Sequence, residues 1–431
     1  MKTVFWPDFS GYRNIELGLS RVYQLLERLD NPHLKIPPTI HLAGTNGKGS
    51  TLSFLKQIFV ESGLKVHTYT SPHLVNFNER ITLANKEISD DFLNECLATC
   101  QKASELEPKI PVTFFEGITV AAFLAFSKIK ADILLLETGM GGRLDATNVL
   151  PQVIASIITP ISFDHVDFLG KTLGKIAHEK AGIIKKNCPV FIAKQKKSAL
   201  HSITKQASSL NAKTFIFGDD FKVTKNKNCF YLHFNNTKIL LPNPTMEGEH
   251  QVENAALAVI VALTQKQFVV DLKNISTALH KTFWPARLQK IKDGKFYQLL
   301  PSNYQLYLDG SHNLQGSLTI KKFLTKHHDH RKIIIFSMLQ DKDCKGFLST
   351  IATEVDELLA ITIPNEEKSL RAEEIKEVCD KIGIKATVKS GFDDAFLEIK
   401  NSNRKEKNLI MVCGSLYLAG SLLAQNQMLE H

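Results

Sequence analysis

The segment Thr39-Ile-His-Leu-Ala-Gly-Thr-Asn-Gly-Lys-Gly-Ser-Thr51 joins a short apolar run to a glycine-rich turn with one lysine, and a helical pattern follows at once. Parts in this order can build a polyphosphate cradle. Turn amides point inward, a helix N-terminus adds positive dipole, and Lys48 adds a full charge. The usual loop reads G-x-x-x-x-G-K-[ST]. Here only Thr45 and Asn46 separate Gly44 from Gly47, and Gly49 stands between Lys48 and Ser50. A plain glycine turn before a helix is the alternative, with Ser50 and Thr51 as N-cap hydroxyls. The helix is expected from about Ser50 to Ser62, with Leu52, Leu55, Ile58 and Phe59 on one face and Gly63 ending it.

Two further stretches carry reactive types. In Leu134-Leu-Leu-Glu-Thr-Gly-Met-Gly-Gly-Arg-Leu-Asp-Ala-Thr-Asn148, a buried strand ends in Glu137, whose carboxylate can reach the Mg²⁺ that accompanies a nucleotide. The glycines at 139, 141 and 142 let backbone approach a ligand, and Arg143 and Asp145 offer opposite charges, or simply a local ion pair. In Thr159-Pro-Ile-Ser-Phe-Asp-His165, His165 follows a strand end on the same sheet edge as Glu137. Imidazole is an acceptable but less usual Mg²⁺ ligand. Taken alone, His165 reads as a surface or packed histidine and Lys180 as a solvated lysine.

These residues need a sheet to hold them. Candidate strands are Thr39–Ala43, Lys65–Tyr69, Asp132–Glu137, Val153–Thr159 and Pro189–Ala193, with helical patterns such as Glu116–Ser127 and Lys175–Ile184 between them. The run Ile133–Leu136 marks a parallel sheet covered on both faces. Residues 213–241 read as an antiparallel appendage with a turn at Lys225–Asn228, followed by a helix over Val252–Thr264. A second α/β block has strands at Tyr304–Leu308, Lys332–Phe336, Glu357–Ile361 and Asn408–Cys413. The boundary is expected within Thr282–Lys295, giving domains of residues 1–284 and 285–431. Chemistry belongs at the carboxyl ends of the strands.

Composition narrows the classes. The chain has 431 residues, 43% hydrophobic and 23% charged, an ordinary globular balance. Its net charge of +9 comes from scattered lysines, densest at Lys185-Lys186 and Lys196-Lys197. A nucleic-acid stripe would be more concentrated, so no nucleic-acid partner is expected. Seven cysteines without a C-x-x-C pair suggest neither a disulfide framework nor structural zinc, but reduced thiols in a cytoplasmic protein. Met1–Asp8 lacks the apolar core of a signal peptide, and no apolar run approaches the ~20 residues of a membrane span.

The motifs quoted above recur in order with Thr70-Ser-Pro-His73, Phe115-Glu-Gly-Ile-Thr119, Glu179-Lys-Ala-Gly-Ile183, Pro285-Ala-Arg-Leu288, Leu308-Asp-Gly-Ser-His-Asn313, Met338-Leu-Gln-Asp-Lys-Asp343 and Cys413-Gly-Ser-Leu-Tyr417. Together they resemble the folylpolyglutamate synthase/dihydrofolate synthase branch of the Mur ligase superfamily over almost the whole chain. The resemblance implies an N-terminal P-loop domain and a smaller Rossmann-like C-terminal domain. It implies an amide-forming ligase: ATP phosphorylates a pteroate or folate carboxylate, and the amine of L-glutamate displaces phosphate.

The family pattern puts Gly44, Thr45, Asn46, Gly47, Lys48, Gly49 and Ser50 around the ATP phosphates. Ser71, Glu137 and His165 match its Mg²⁺ ligands. Lys180 matches a lysine that becomes carbamylated and could hold a second Mg²⁺. Asn254 matches an adenine-side asparagine, and Arg287 an arginine reaching ATP. Asp309 and His312 match residues that close over ATP and the acyl phosphate, which implies domain closure. Phe115, Glu116, Thr119, Arg143 and Asp145 sit where the family binds dihydropteroate or folate. Gly-Arg-Leu-Asp-Ala-Thr-Asn favours a bifunctional enzyme over a polyglutamylase alone. The resemblance also implies a monomer and leaves room for a monovalent cation.

Two motifs depart from the family. Asp-Gly-Ala-His-Asn-Pro is usual, whereas Ser311 and Leu314 stand here for the alanine and proline. Leu314 removes a φ restraint before a helix. Pro-Ala-Arg replaces the common Pro-Gly-Arg, which reads as mild. Two competing functions remain. A ligase acting on UDP-sugar precursors would carry an extra N-terminal domain, yet only about 38 residues precede the first strand. A regulatory ATPase would explain Lys48 and Glu137 but not Arg287 or the Asp309–Asn313 element.

Overall fold

The structure is a computed structural model that describes residues 6–7, 17–402 and 404–427. The N-terminal stretch read above for a signal peptide lies mostly outside them. The chain divides into two compact units, one of residues 1–245 and 249–283, the other of residues 246–248 and 284–431.

The first unit is built on an eight-stranded sheet: β1 (Thr39–Ala43), β2 (Val66–Tyr69), β3 (Ile81–Leu83), β4 (Lys86–Glu87), β5 (Ile133–Glu137), β6 (Ala155–Ile158), β7 (Val190–Ile192) and β8 (Thr214–Ile216). Their order is β4-β3-β2-β5-β1-β6-β7-β8. All neighbours are parallel except at the β2–β3 and β3–β4 steps. Strands β1, β2, β5, β6 and β7 are buried along their whole length, as their unbroken apolar runs require. Leu134 and Leu136 face a core filled by the helices Asp90–Glu105 and Phe114–Lys128. Ala43, Ile158 and Ile192 enter a second core against Leu173–Ala181 and Lys197–Ser209. A separate antiparallel sheet, β9 (Phe221–Lys225), β10 (Cys229–Phe234) and β11 (Thr237–Pro242), follows.

The second unit has a six-stranded sheet of β12 (Gln289–Ile291), β13 (Tyr304–Leu308), β14 (Arg331–Phe336), β15 (Glu357–Ala360), β16 (Ala386–Val388) and β17 (Asn408–Cys413). The order is β12-β13-β17-β14-β15-β16, parallel except for β12.

Two expectations change. The phosphate-loop helix starts at Lys48, not Ser50, because Gly47 takes the N-cap at φ 84°, a left-handed conformation open to glycine. Ser50 and Thr51 are therefore inside the helix and are not its caps. The antiparallel appendage starts at Phe221, since Thr214–Ile216 pairs in parallel with β7. The β3–β4 hairpin is additional. Its turn residues Ala84 and Asn85 both have positive φ, a conformation that sequence normally advertises as Asn-Gly. An alanine in the first position hides it.

Candidate active site

Register brings the motifs of the first unit to one sheet edge. Leu42 of β1 pairs with Glu137 of β5, Tyr69 of β2 with Leu136, and Ala43 with Ile158 of β6. The loops beginning at Gly44, Thr70, Thr138 and Thr159 thus leave adjacent parallel strands at their carboxyl ends. β1 lies between β5 and β6, the switch-point position where open α/β sheets bind ligands.

The glycine loop is fixed from outside. Thr45 and Asn46 donate their amides to the Pro160 carbonyl at 3.0 and 3.1 Å. These two N–H groups are therefore spent on the neighbouring loop, contrary to a cradle in which every turn amide points inward. The Thr45 hydroxyl donates to the Ser162 carbonyl and accepts from the Ser162 amide. The remaining donors are those of the helix start at Lys48, Gly49 and Ser50, which have no intrahelical acceptor. A Cβ on Gly44 would lie 1.8 Å from Thr159 Oγ1, and one on Gly47 would lie 2.8 Å from Asn254 Oδ1. Asn254 is buried on the helix Glu249–Thr264, donates to Gln251 Oε1, and packs on the loop. Gln251 in turn donates to Ser50 Oγ at 3.4 Å.

Three charged groups converge. Lys48 Nζ lies 3.8 Å from Glu137 Oε1 and donates to the Gly44 carbonyl at 3.2 Å. Lys180 Nζ donates to the same carbonyl at 2.9 Å. The sequence alone suggests a solvated Lys180, but it is buried, and desolvation with the nearby Lys48 charge lowers its pKa to about 7. The Ser71 amide donates to Glu137 Oε2 at 3.4 Å. His165 takes a left-handed backbone, φ 48°, at the N-cap of the turn Val166–Leu169 beside Asp164.

Arg143 forms no ion pair with Asp145. Its guanidinium grips Glu179 through Nε and a terminal nitrogen at 3.1–3.2 Å. Asp145 is buried and accepts from the Met140 and Thr147 amides and from the Thr147 hydroxyl. Thr147 Oγ1 also meets His41 Nε2 at 2.8 Å. Glu116 closes a capping box with Thr113 and binds Arg21. Thr119 bonds Tyr69 Oη and the Phe115 carbonyl. The Phe115 ring covers Gly139, where a Cβ would lie 2.4 Å from it.

In the second unit, Asp309 follows β13. Its buried carboxylate accepts from the Leu288 amide at 2.7 Å and the Ser311 amide at 2.8 Å, tying the arginine motif to the Asp-Gly-Ser-His-Asn turn. Arg287 donates to the Ala286 carbonyl, and His312 Nδ1 lies 3.0 Å from the Gly310 carbonyl.

Residues 42–262 match the family described as Mur ligase middle domain, and residues 292–425 match Dihydrofolate synthetase, C-terminal domain. A dihydrofolate synthase/folylpolyglutamate synthase from Bacillus subtilis is 30% identical over 95% of this chain and 94% of its own length. This chain belongs to that branch of the Mur ligase family. The structure of E. coli FolC in complex with DHPP and ADP is similar at 26% identity and TM-score 0.84, covering 95% of this chain and 93% of that one. A bifunctional folylpolyglutamate synthase/dihydrofolate synthase solved with Mn, AMPPNP and L-glutamate is 28% identical, TM-score 0.83, covering 95% and 94%.

Ala286 and Leu314 stand where the usual Mur ligase motifs carry glycine and proline. Ala286 sits at φ 54°, where the usual glycine carries no Cβ penalty, so this departure is strained. Leu314 is harmless by comparison. It opens a helix that Asn313 caps through the Gly316 amide at 3.0 Å, so the side-chain cap holds what proline would have restrained.

The donors fit a divalent cation of the Mg²⁺ class. Among the described residues no three His, Cys, Asp or Glu side chains form a metal cage. Mg²⁺ with a nucleotide needs only one or two carboxylates, the rest being phosphate oxygens and water. Buried Glu137 is one such carboxylate, and Ser71 and His165 lie in the loops that follow β2 and β6. The sequence reading missed Pro160 and Ser162 as loop anchors, and Glu179 as the partner of Arg143. Both lie within quoted motifs, but only the fold shows which atoms they hold.

Proposed function

We propose that this enzyme joins L-glutamate to 7,8-dihydropteroate and, in a second activity, to reduced folates, at the cost of ATP. The observation that carries the reading is the convergence of Lys48, Glu137 and Lys180 on the glycine loop of a Mur ligase fold.

A carboxylate oxygen of the pteroyl substrate attacks the γ-phosphorus of ATP, and ADP leaves. The amine of glutamate attacks the resulting acyl carbon, phosphate leaves, and the amine loses a proton. Phosphoryl transfer needs positioning and neutralisation of oxygen charge more than covalent help. Lys48 and the amides of the helix start supply these for the phosphates, within a Gly44–Ser50 loop whose Thr45 and Asn46 are held in place by Pro160. Ser71, Glu137 and His165 would hold Mg²⁺, which when bound neutralises phosphate oxygens. Lys180, its pKa lowered to about 7, has a substantial neutral fraction near that pH and is an amine that can add CO₂ and become a carboxylate-like ligand for a second ion. Phe115, Thr119 and the Gly139 backbone form the aryl side of the folate site. Glu116, Arg143 and Asp145 shape that side through the contacts above. Asn254 supports the loop on the nucleotide's base side. In the second unit Arg287 and His312 are the candidates for nucleotide and acyl-phosphate contact that the family pattern gives, with Asp309 bracing both loops.

The domains are residues 1–284, for nucleotide binding, and 285–431. The enzyme works as a monomer in the cytoplasm, in keeping with seven free cysteines. Among the described residues no helix is long and apolar enough to cross a membrane. Comparing turnover on dihydropteroate with turnover on tetrahydrofolate tests the two activities separately. Activity on only one acceptor would reduce the enzyme to a single function.

A further inference from the structure

Arg80 is an unusual cation for its place. It is 3% exposed and lies immediately before β3, where its carbonyl accepts the Thr70 amide at 2.9 Å. Thr70 leads into Ser71, whose amide touches Glu137, so Arg80 stands beside the phosphate edge of the sheet. Its Nε donates to His73 Nδ1 at 2.8 Å, and its guanidinium lies over the rings of Phe77 and Phe114 at 5.4 and 5.9 Å. Among the described residues no Asp or Glu pairs with it, and its terminal nitrogens donate to none of them. A neutral imidazole and two ring faces do not offset the cost of burying a cation, which normally demands an anion. Phe114 is followed by Phe115, the ring that covers Gly139. A fork of N–H donors without an anionic partner thus lies against Phe114, one helix position before the Phe115 ring.

We propose that Arg80 is the anchor for the carboxylate of the acyl substrate, gripping it while the aryl group lies against Phe115. A planar guanidinium presents paired donors that match a carboxylate. This rests on the ligase reading above.

The test is equilibrium binding of dihydropteroate and of its carboxamide analogue to the full-length protein, with ADP binding as the measure of intact fold. Wild type should prefer the carboxylate on the order of tenfold to a hundredfold, and Arg80→Gln should bind both ligands alike with ADP affinity kept. Arg80→Lys should restore part of the preference. In turnover, Arg80→Gln should raise KM for dihydropteroate and leave KM for ATP and glutamate unchanged. A wild-type preference retained in Arg80→Gln overturns the proposal, as does a rise in KM for glutamate alone. Should Arg80→Gln fail to bind ADP, Arg80→Lys decides on the same readout. If wild type binds with this preference but forms no amide, the ligase reading fails while the anchor stands.

Discussion

Lys180 Nζ lies 2.9 Å from the carbonyl oxygen of Gly44, the carbonyl that also receives Lys48. Two ammonium groups on one acceptor repel, and burial favours the neutral form of the more enclosed one. The side chain at position 180 is thereby favoured as a neutral amine beside the glycine loop. If its working form is a carbamate, Lys180→Ala should lose most activity and regain part of it with added formate or acetate. Rescue by short amines instead of acids would contradict that form.

Lys48 has a simpler role. Lys48→Ala should fold normally and lose on the order of 10²–10³-fold or more in kcat, the scale of removing one donor from developing negative charge. Circular dichroism and single-turnover phosphate release would check both halves. Full activity would remove the lysine from the phosphate site.

The loop glycines are sterically required. Gly44→Ala places a methyl group 1.8 Å from Thr159 Oγ1, and Thr159 is fully buried with its amide bonded to Ala43. Overpacking of this kind costs about 1–3 kcal/mol. Denaturant unfolding should show that loss, and ADP affinity should fall with it. Unchanged stability and affinity would mean the β6 loop yields freely.

Ala286 offers the opposite case. Its φ of 54° costs an alanine about 1 kcal/mol that glycine does not pay. Ala286→Gly should therefore raise stability slightly, or leave it level where the unfolded chain's added freedom offsets the relief. A marked loss in thermal unfolding would show that the Cβ packs usefully.

His41 gives a pH signature. Buried and bonded to Thr147, it is held neutral, its pKa lowered to about 3 by desolvation and by Lys185. The unfolded chain takes up a proton near the ordinary value while the folded one does not. Its contribution is whole above about 6.5 and is lost as pH falls toward 3. His41→Gln should flatten the slope of stability against pH in that window. An unaltered slope would place the acid sensitivity elsewhere.

Much of this was legible in the residues. Buried runs such as Ile133–Leu136 dictate parallel strands, and the order strand, glycine turn, lysine, helix appears in the fold as β1, the Gly44–Gly47 turn and a helix from Lys48. What the chain hid was atomic partnership. Nothing in Arg143 or Asp145 says that one seeks Glu179 and the other Thr147, because both choices depend on loops brought together by the sheet. The burial of Lys180 was hidden for the same reason, since a lysine late in a helix normally reaches water. The positive φ of Ala84 and Ala286 defied the residue preferences that mark such turns.

The central claim is pteroate-dependent amide formation. Purified protein given ATP, Mg²⁺, L-glutamate and 7,8-dihydropteroate should release phosphate and yield dihydrofolate in equal amounts, with release falling to background when dihydropteroate is omitted. Phosphate release that neither dihydropteroate nor a reduced folate stimulates would contradict the ligase account.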